Sequence, residues 1–274
     1  MQSKLKIGFI GGGNMASALI GGMNVSMAGQ VSLHVVDINQ QSLNRLETEW
    51  QLSTALQVDD RLADLDVIVL AVKPQQFRDA LESLKPYLRQ QLLISIAAGI
   101  RATDMQRWLA GYANIVRTMP NTPALINQGM TGLFALPAVT QQGRDIAEKI
   151  MEAVGQTLWL DEEHLLDAVT AVSGSGPAYV FYFIEAMQAA ARELGLSDEA
   201  ARRLALATFQ GASSLALHAS DDVSVLRERV TSKGGTTYAA LTQLQNHQVH
   251  AAIVDAIHAA AERGRQLGEE FGQQ

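Results

Sequence analysis

The chain has 274 residues, 47% hydrophobic and 18% charged, with no cysteine and a formal net charge of -7. That balance belongs to globular chains with a sizeable core, and it excludes disordered, collagenous, disulfide-stapled and thiolate-metal classes. Lys and Arg are scattered through an acidic chain, so there is no basic footprint for nucleic acid.

In chain order, short β-rich runs alternate with longer segments of helical spacing up to about residue 160, the pattern of βαβ units in a mostly parallel sheet. Strands are predicted at residues 5–10, 31–37, 67–72, 91–97, 114–118, 131–135 and 156–160, with a weaker one at 55–58. The 67–72 run is apolar without alternation, as in a strand covered on both faces. No uninterrupted apolar run approaches the roughly 20 residues of a membrane span. The first ten residues hold too short an apolar stretch for a secretory signal, and a cytoplasmic protein with no membrane or nucleic-acid partner is expected.

Beyond Asp161 the text is alanine-rich and helical throughout, with turn signals at 173–177, 195–198, 220–222 and 233–235. The expected fold is therefore an α/β, doubly wound, Rossmann-like domain over residues 1–160, followed by an all-α domain over 161–274. Alanines at 186, 189–191, 251, 252, 256 and 259–261 permit close helix approach, either inside the chain or at a subunit interface.

Gly11, Gly12, Gly13, Asn14, Met15 and Ala16 fit G-x-G-x-x-A directly between the first strand and a helical stretch. Gly11 permits the tight turn, Gly13 lets backbone approach a pyrophosphate, and the free amides at Asn14 and Met15 face its oxygens. The second strand runs into Asp37, where a carboxylate can accept both ribose hydroxyls of NADH and repel the 2′-phosphate of NADPH. A solvated strand-end aspartate is the plainer alternative. Further strand-end loops carry Ala71, Val72, Lys73 and Pro74, then Ala97, Ala98 and Gly99, whose small side chains leave room for a flat ring. Residues 119–123, with two prolines, make a third such loop.

The most unusual stretch is 226–241. Ser232, Lys233, Gly234, Gly235, Thr236 and Thr237 sit between helical segments, so their backbone amides and hydroxyls suit a carboxylate. Helix capping alone is the bland alternative. His247, His250 and His258 share part of one predicted helix, but no metal site is expected there.

Residues 7–16, 71–74, 116–124, 172–179 and 230–241, in that order, resemble the pyrroline-5-carboxylate reductases, which reduce a cyclic imine to proline. The resemblance implies NADH or NADPH on the first domain, a homodimer through the helical domain and possible larger rings of dimers. It also implies that Ser232, Gly234, Gly235 and Thr236 bind the imino-acid carboxylate, that Thr237 hydrogen-bonds the ring nitrogen, and that Glu163 lines the substrate end. Two departures stand out: Lys233 occupies a position where the family usually has Pro, and Asp37 is unlike the residues of NADPH-preferring members. Rival readings are a β-hydroxyacid dehydrogenase, which needs a catalytic lysine, and a nucleotide-sensing module without turnover.

Overall fold

The computed structural model describes residues 4–273. In chain order the alternating part comprises β1 (Leu5–Ile10), α1 (Asn14–Ser26), β2 (Val31–Val36), α2 (Gln40–Trp50), β3 (Ser53–Ala55), β4 (Val67–Leu70), α3 (Pro74–Leu84), β5 (Leu92–Ser95), α4 (Ala102–Trp108), β6 (Ile115–Met119), β7 (Gly129–Ala135), α5 (Gln141–Glu152) and β8 (Gly155–Trp159). The strands form one sheet in the order β3-β2-β1-β4-β5-β6-β7-β8. All pairs are parallel except β6 with β7.

Alternate strand residues feed two cores, which is why the central runs are apolar without a break. Ile7, Phe9, Val67 and Val69 join Leu19, Ile20 and Met23 of α1 and Ile150 and Met151 of α5 on one face. Ile10, Ile68 and Leu70 join Phe77 and Leu81 of α3 and Met105 and Trp108 of α4 on the other. This is the doubly wound α/β architecture expected from the alternation.

Several ends differ from expectation. β4 and β5 stop at Leu70 and Ser95, because the backbone leaves the sheet at Ala71 and Ala97 to form the strand-end loops. β3 lies at Ser53–Ala55 rather than 55–58. Its register is set by pairing Ser53 with His34 of β2, and residues beyond it lead to Asp59, which caps a 3-10 turn at Asp60–Asp64.

From Leu165 onward the elements among the described residues are helices joined by short turns: α6 (Leu165–Val169), a π turn at Thr170–Gly174, α7 (Gly176–Glu193), α8 (Asp198–His218), α9 (Val223–Arg229), α10 (Thr236–Asn246) and α11 (Val249–Gly272). The glycines near 173–177 do not open a loop; the chain passes from the π turn almost directly into α7. His247 is the C-cap of α10, and Gln248, at φ 53°, separates it from His250 and His258 on α11, so the three histidines do not share one helix.

By packing, the chain divides after Ser175, not at 160/161. Among the described residues, one unit holds 4–175 and takes back 260–273; the other is 176–259. In the helical unit, α7 and α8 bury only Ile184, Ala201 and Ala205, while α9 and α10 bury nothing. Phe181 is 60% and Leu217 68% exposed, and Ala251, Ala252, Ala256 and Ala259 are exposed as well. The alanine stripe of α11 therefore does not serve an intrachain core.

Candidate functional site

Register places the carboxyl ends of four neighbouring strands at one level: Ile10 pairs with Val36 and with Leu70, and Leu70 with Ser95. The loops after β1, β2, β4 and β5, with the first residues of α1 and α3, carry Gly11, Gly13, Asn14, Met15, Asp37, Ala71, Val72, Lys73, Pro74, Ala97, Ala98 and Gly99. All twelve thus lie along a single sheet edge, the region where open α/β sheets hold ligands.

Two glycines of the first loop differ in what they need. Gly11 has φ +102°, and a Cβ there would stand 2.6 Å from the Ala71 carbonyl oxygen, so fold geometry itself demands glycine. Gly13 has an ordinary φ of -71°, and a Cβ would meet nothing within 4 Å. It is the N-cap of α1, with no side-chain capping bond. Open space above an uncapped helix start is what an approaching pyrophosphate requires, so the residues fit a dinucleotide. Asp37 completes the edge: Oδ2 accepts the Gly12 N–H at 2.6 Å and Oδ1 the Asn39 N–H at 2.8 Å.

The β4 loop turns at Lys73, the N-cap of α3, whose first residue Pro74 forfeits only an N–H that a helix start leaves unpaired. In the β5 loop, Gly99 adopts φ +74°, and its missing Cβ would touch Leu267 and Phe271 of α11 at 3.2–3.4 Å. The third loop, residues 119–123, is held structurally. Asn121 Nδ2 donates to the Ser173 carbonyl at 3.0 Å and its Oδ1 accepts the Met130 N–H at 2.9 Å.

In the helical unit, Gly235 is the N-cap of α10 and Thr236 and Thr237 open the helix, again without a side-chain capping bond. Gly234 has φ +72°, so the turn itself calls for glycine there, whereas a Cβ on Gly235 would stand 2.5 Å from the rotatable Ser232 Oγ. The turn is exposed at Ser232, Lys233, Gly234 and Thr236, while Gly235 and Thr237 are half-buried. The hydroxyls of Ser232, Thr236 and Thr237 on this turn suit an anion, while the Gly235 N–H is committed to the Ser232 carbonyl at 3.0 Å and, against expectation, is not free for a ligand.

Glu163, expected at the substrate end, is committed within the first unit. Its Oε1 accepts the Ala102 N–H at 2.5 Å and Arg117 Nη1 at 3.0 Å. Arg117 Nη2 lies 3.9 Å from Asp167 Oδ1. Burial pushes the Asp167 carboxyl above the usual carboxylate range, with the Arg117 and Arg101 guanidiniums opposing the rise. Arg117 received no role from sequence, although a guanidinium inside the otherwise uncharged strand Ile115–Met119, and acidic residues four apart at 163 and 167, signalled a buried charge with partners.

Known proteins match along the whole chain. A family model described as pyrroline-5-carboxylate reductase dimerisation covers residues 163–267, and one described as NADP oxidoreductase coenzyme F420-dependent covers 6–99. Pyrroline-5-carboxylate reductase of Pseudomonas aeruginosa is 42% identical over 273 residues, 99% of this chain and 100% of that one. Pyrroline-5-carboxylate reductase 2 of Bacillus subtilis is 35% identical, with 97% and 96% covered. The structure of a pyrroline-5-carboxylate reductase from Coxiella burnetii superposes with a TM-score of 0.88 at 37% identity, covering 97% of this chain and 99% of that one. Plasmodium falciparum pyrroline carboxylate reductase with NADP bound gives 0.85 at 30%, covering 96% and 98%. The match runs end to end through both units, and the chain belongs to the pyrroline-5-carboxylate reductase family.

Proposed function

We propose that the protein reduces the C=N bond of 1-pyrroline-5-carboxylate, giving L-proline, with NADH or NADPH as reductant. The observation that carries this is the 42% identity to the Pseudomonas aeruginosa reductase over essentially both full lengths. A reduced nicotinamide, when bound, supplies the hydride. Gly13 and the amides of Asn14 and Met15 hold the pyrophosphate over the turn that Gly11 makes, Asp37 holds the adenosine ribose, and Ala71, Val72, Lys73 and Pro74 form the neighbouring sheet edge. Ala97, Ala98 and Gly99 leave room for the nicotinamide.

On the substrate side, the amides of Gly234 and Thr236 and the Ser232 hydroxyl hold the carboxylate, with Gly235 shaping the turn between them. Lys233, exposed in the same turn, adds attraction for that charge. Thr237 Oγ1 accepts the N–H of the protonated imine and so fixes the ring. An iminium is already electrophilic, so the chain supplies mainly orientation, which contributes up to about 7–11 kcal/mol when two partners are held in reacting geometry. A β-hydroxyacid dehydrogenase chemistry, which needs a lysine acid-base on the helical half, has only Lys233 available after Lys149.

Asp37 supports NADH as the preferred reductant, because two backbone N–H groups hold its carboxylate in place. The exposed apolar residues of α7 and α8 support assembly through the helical unit, as a homodimer and then as rings of dimers, read by light scattering. Cytoplasmic location is part of the same proposal and is checked by cell fractionation. The deciding assay follows NADH and NADPH oxidation spectrophotometrically with pyrroline-5-carboxylate. Imine-dependent oxidation is expected, and oxidation only with 2-keto or semialdehyde acids, or none, rejects the proposal.

A further inference from the structure

Arg117 is the only guanidinium buried among the described residues, and no step of the proposed chemistry uses it. It sits on β6 directly opposite Ser95, the last residue of β5. Its partner Glu163 reaches, through the same Oε1, the N–H of Ala102, the first residue of α4. Ser95 and Ala102 are the two ends of the loop that carries Ala97, Ala98 and Gly99. The ion pair therefore links the strand that pairs with one end of that loop to the residue that holds the other end. Apolar side chains of similar volume stabilise a fold as well as a buried ion pair does, so such a pair is better explained by the geometry it enforces than by stability.

We propose that Arg117 and Glu163 are positioning residues that set the backbone of Ala97, Ala98 and Gly99 for the nicotinamide ring. This rests on the proposed function, in which that loop faces the nicotinamide. Glu163 then acts at one remove, on the backbone that meets the coenzyme, and makes no contact with the imino acid.

The test titrates NADH and ADP-ribose, which lacks the nicotinamide, into wild-type protein, Glu163→Ala and Glu163→Gln, with imino-acid KM measured in parallel. Glu163→Ala loses a charge-assisted bond and is expected to weaken NADH about ten-fold while leaving ADP-ribose unchanged. Glu163→Gln keeps an acceptor for the Ala102 N–H and should recover to within about three-fold of wild type. Where Glu163→Ala does not fold, Glu163→Gln alone carries the comparison, with NADH weakened and ADP-ribose not. Equal weakening of both ligands makes the pair merely structural and overturns the proposal. So does unchanged NADH affinity, or a rise confined to imino-acid KM, which would put Glu163 on the substrate. Wild-type protein that binds no NADH defeats the proposed function instead.

Discussion

The carboxylate of Asp37, just past β2, accepts the backbone N–H of Gly12 in the loop after β1 at 2.6 Å. A second bond from the Asn39 N–H leaves the side chain little freedom to turn away from whatever lies over that loop. Each oxygen keeps lone-pair capacity for a hydroxyl, whereas a 2′-phosphate would meet a fixed negative charge.

Asp37→Ser should therefore lose NADH preference. Removing a charge-assisted acceptor costs on the order of 1.5–3 kcal/mol, or roughly ten-fold or more in KM for NADH, with little change for NADPH. Steady-state kinetics with both coenzymes check this, and an unaltered ratio in a folded variant refutes the role.

Gly11 and Gly13 should separate folding from binding. Gly11→Ala forces a side chain into φ +102° against the Ala71 carbonyl, costing about 1–3 kcal/mol and lowering Tm by several degrees. Gly13→Ala meets no protein atom and should keep the wild-type Tm, yet bind dinucleotide more weakly because the methyl fills the space above the helix start. Calorimetric melting and NADH titration give both numbers; normal affinity in Gly13→Ala counts against a pyrophosphate at that point.

Thr237→Ala should reduce kcat/KM by about 1–3 kcal/mol without altering Tm, since the hydroxyl is proposed to meet the substrate and has no role in capping α10. Thr237→Ser should restore most of the activity. Wild-type turnover by the alanine variant would eliminate the hydroxyl from the reaction.

His34 gives a pH prediction. It is buried on β2, with Nδ1 2.8 Å from Ser53 Oγ and Nε2 buried without a partner. Burial lowers its pKa below 6.5, and Arg61 lowers it further against the opposing charge of Asp59. Below pH 6.5 the unfolded chain thus binds a proton that the native protein does not, so stability is full above 6.5 and declines as pH falls through the lowered native value. Urea unfolding between about pH 5 and 8 should show that decline, and His34→Gln should flatten it. Parallel pH slopes for the two proteins contradict the assignment.

The element inventory was legible because it depends on local features. Unbroken apolar runs such as Val67–Leu70 mark strands covered on both faces, and glycines between strand and helix mark turns that only glycine can make. The chain therefore determined by itself its alternating half, its helical half and the order in which the strand-end loops appear.

Partners distant in sequence were decided only by tertiary structure. The resemblance puts Glu163 at the substrate end; the fold turns its carboxylate toward Arg117 and the Ala102 N–H, 46 and 61 residues away. The short edge strand β3 took its register from Ser53 opposite His34, and the last turns of α11 returned to the first unit, where Leu267 and Phe271 cover Gly99. A buried charge or an unpaired backbone amide must find whichever complementary group the packed chain brings within reach, and that choice is made by burial, not by neighbours along the sequence.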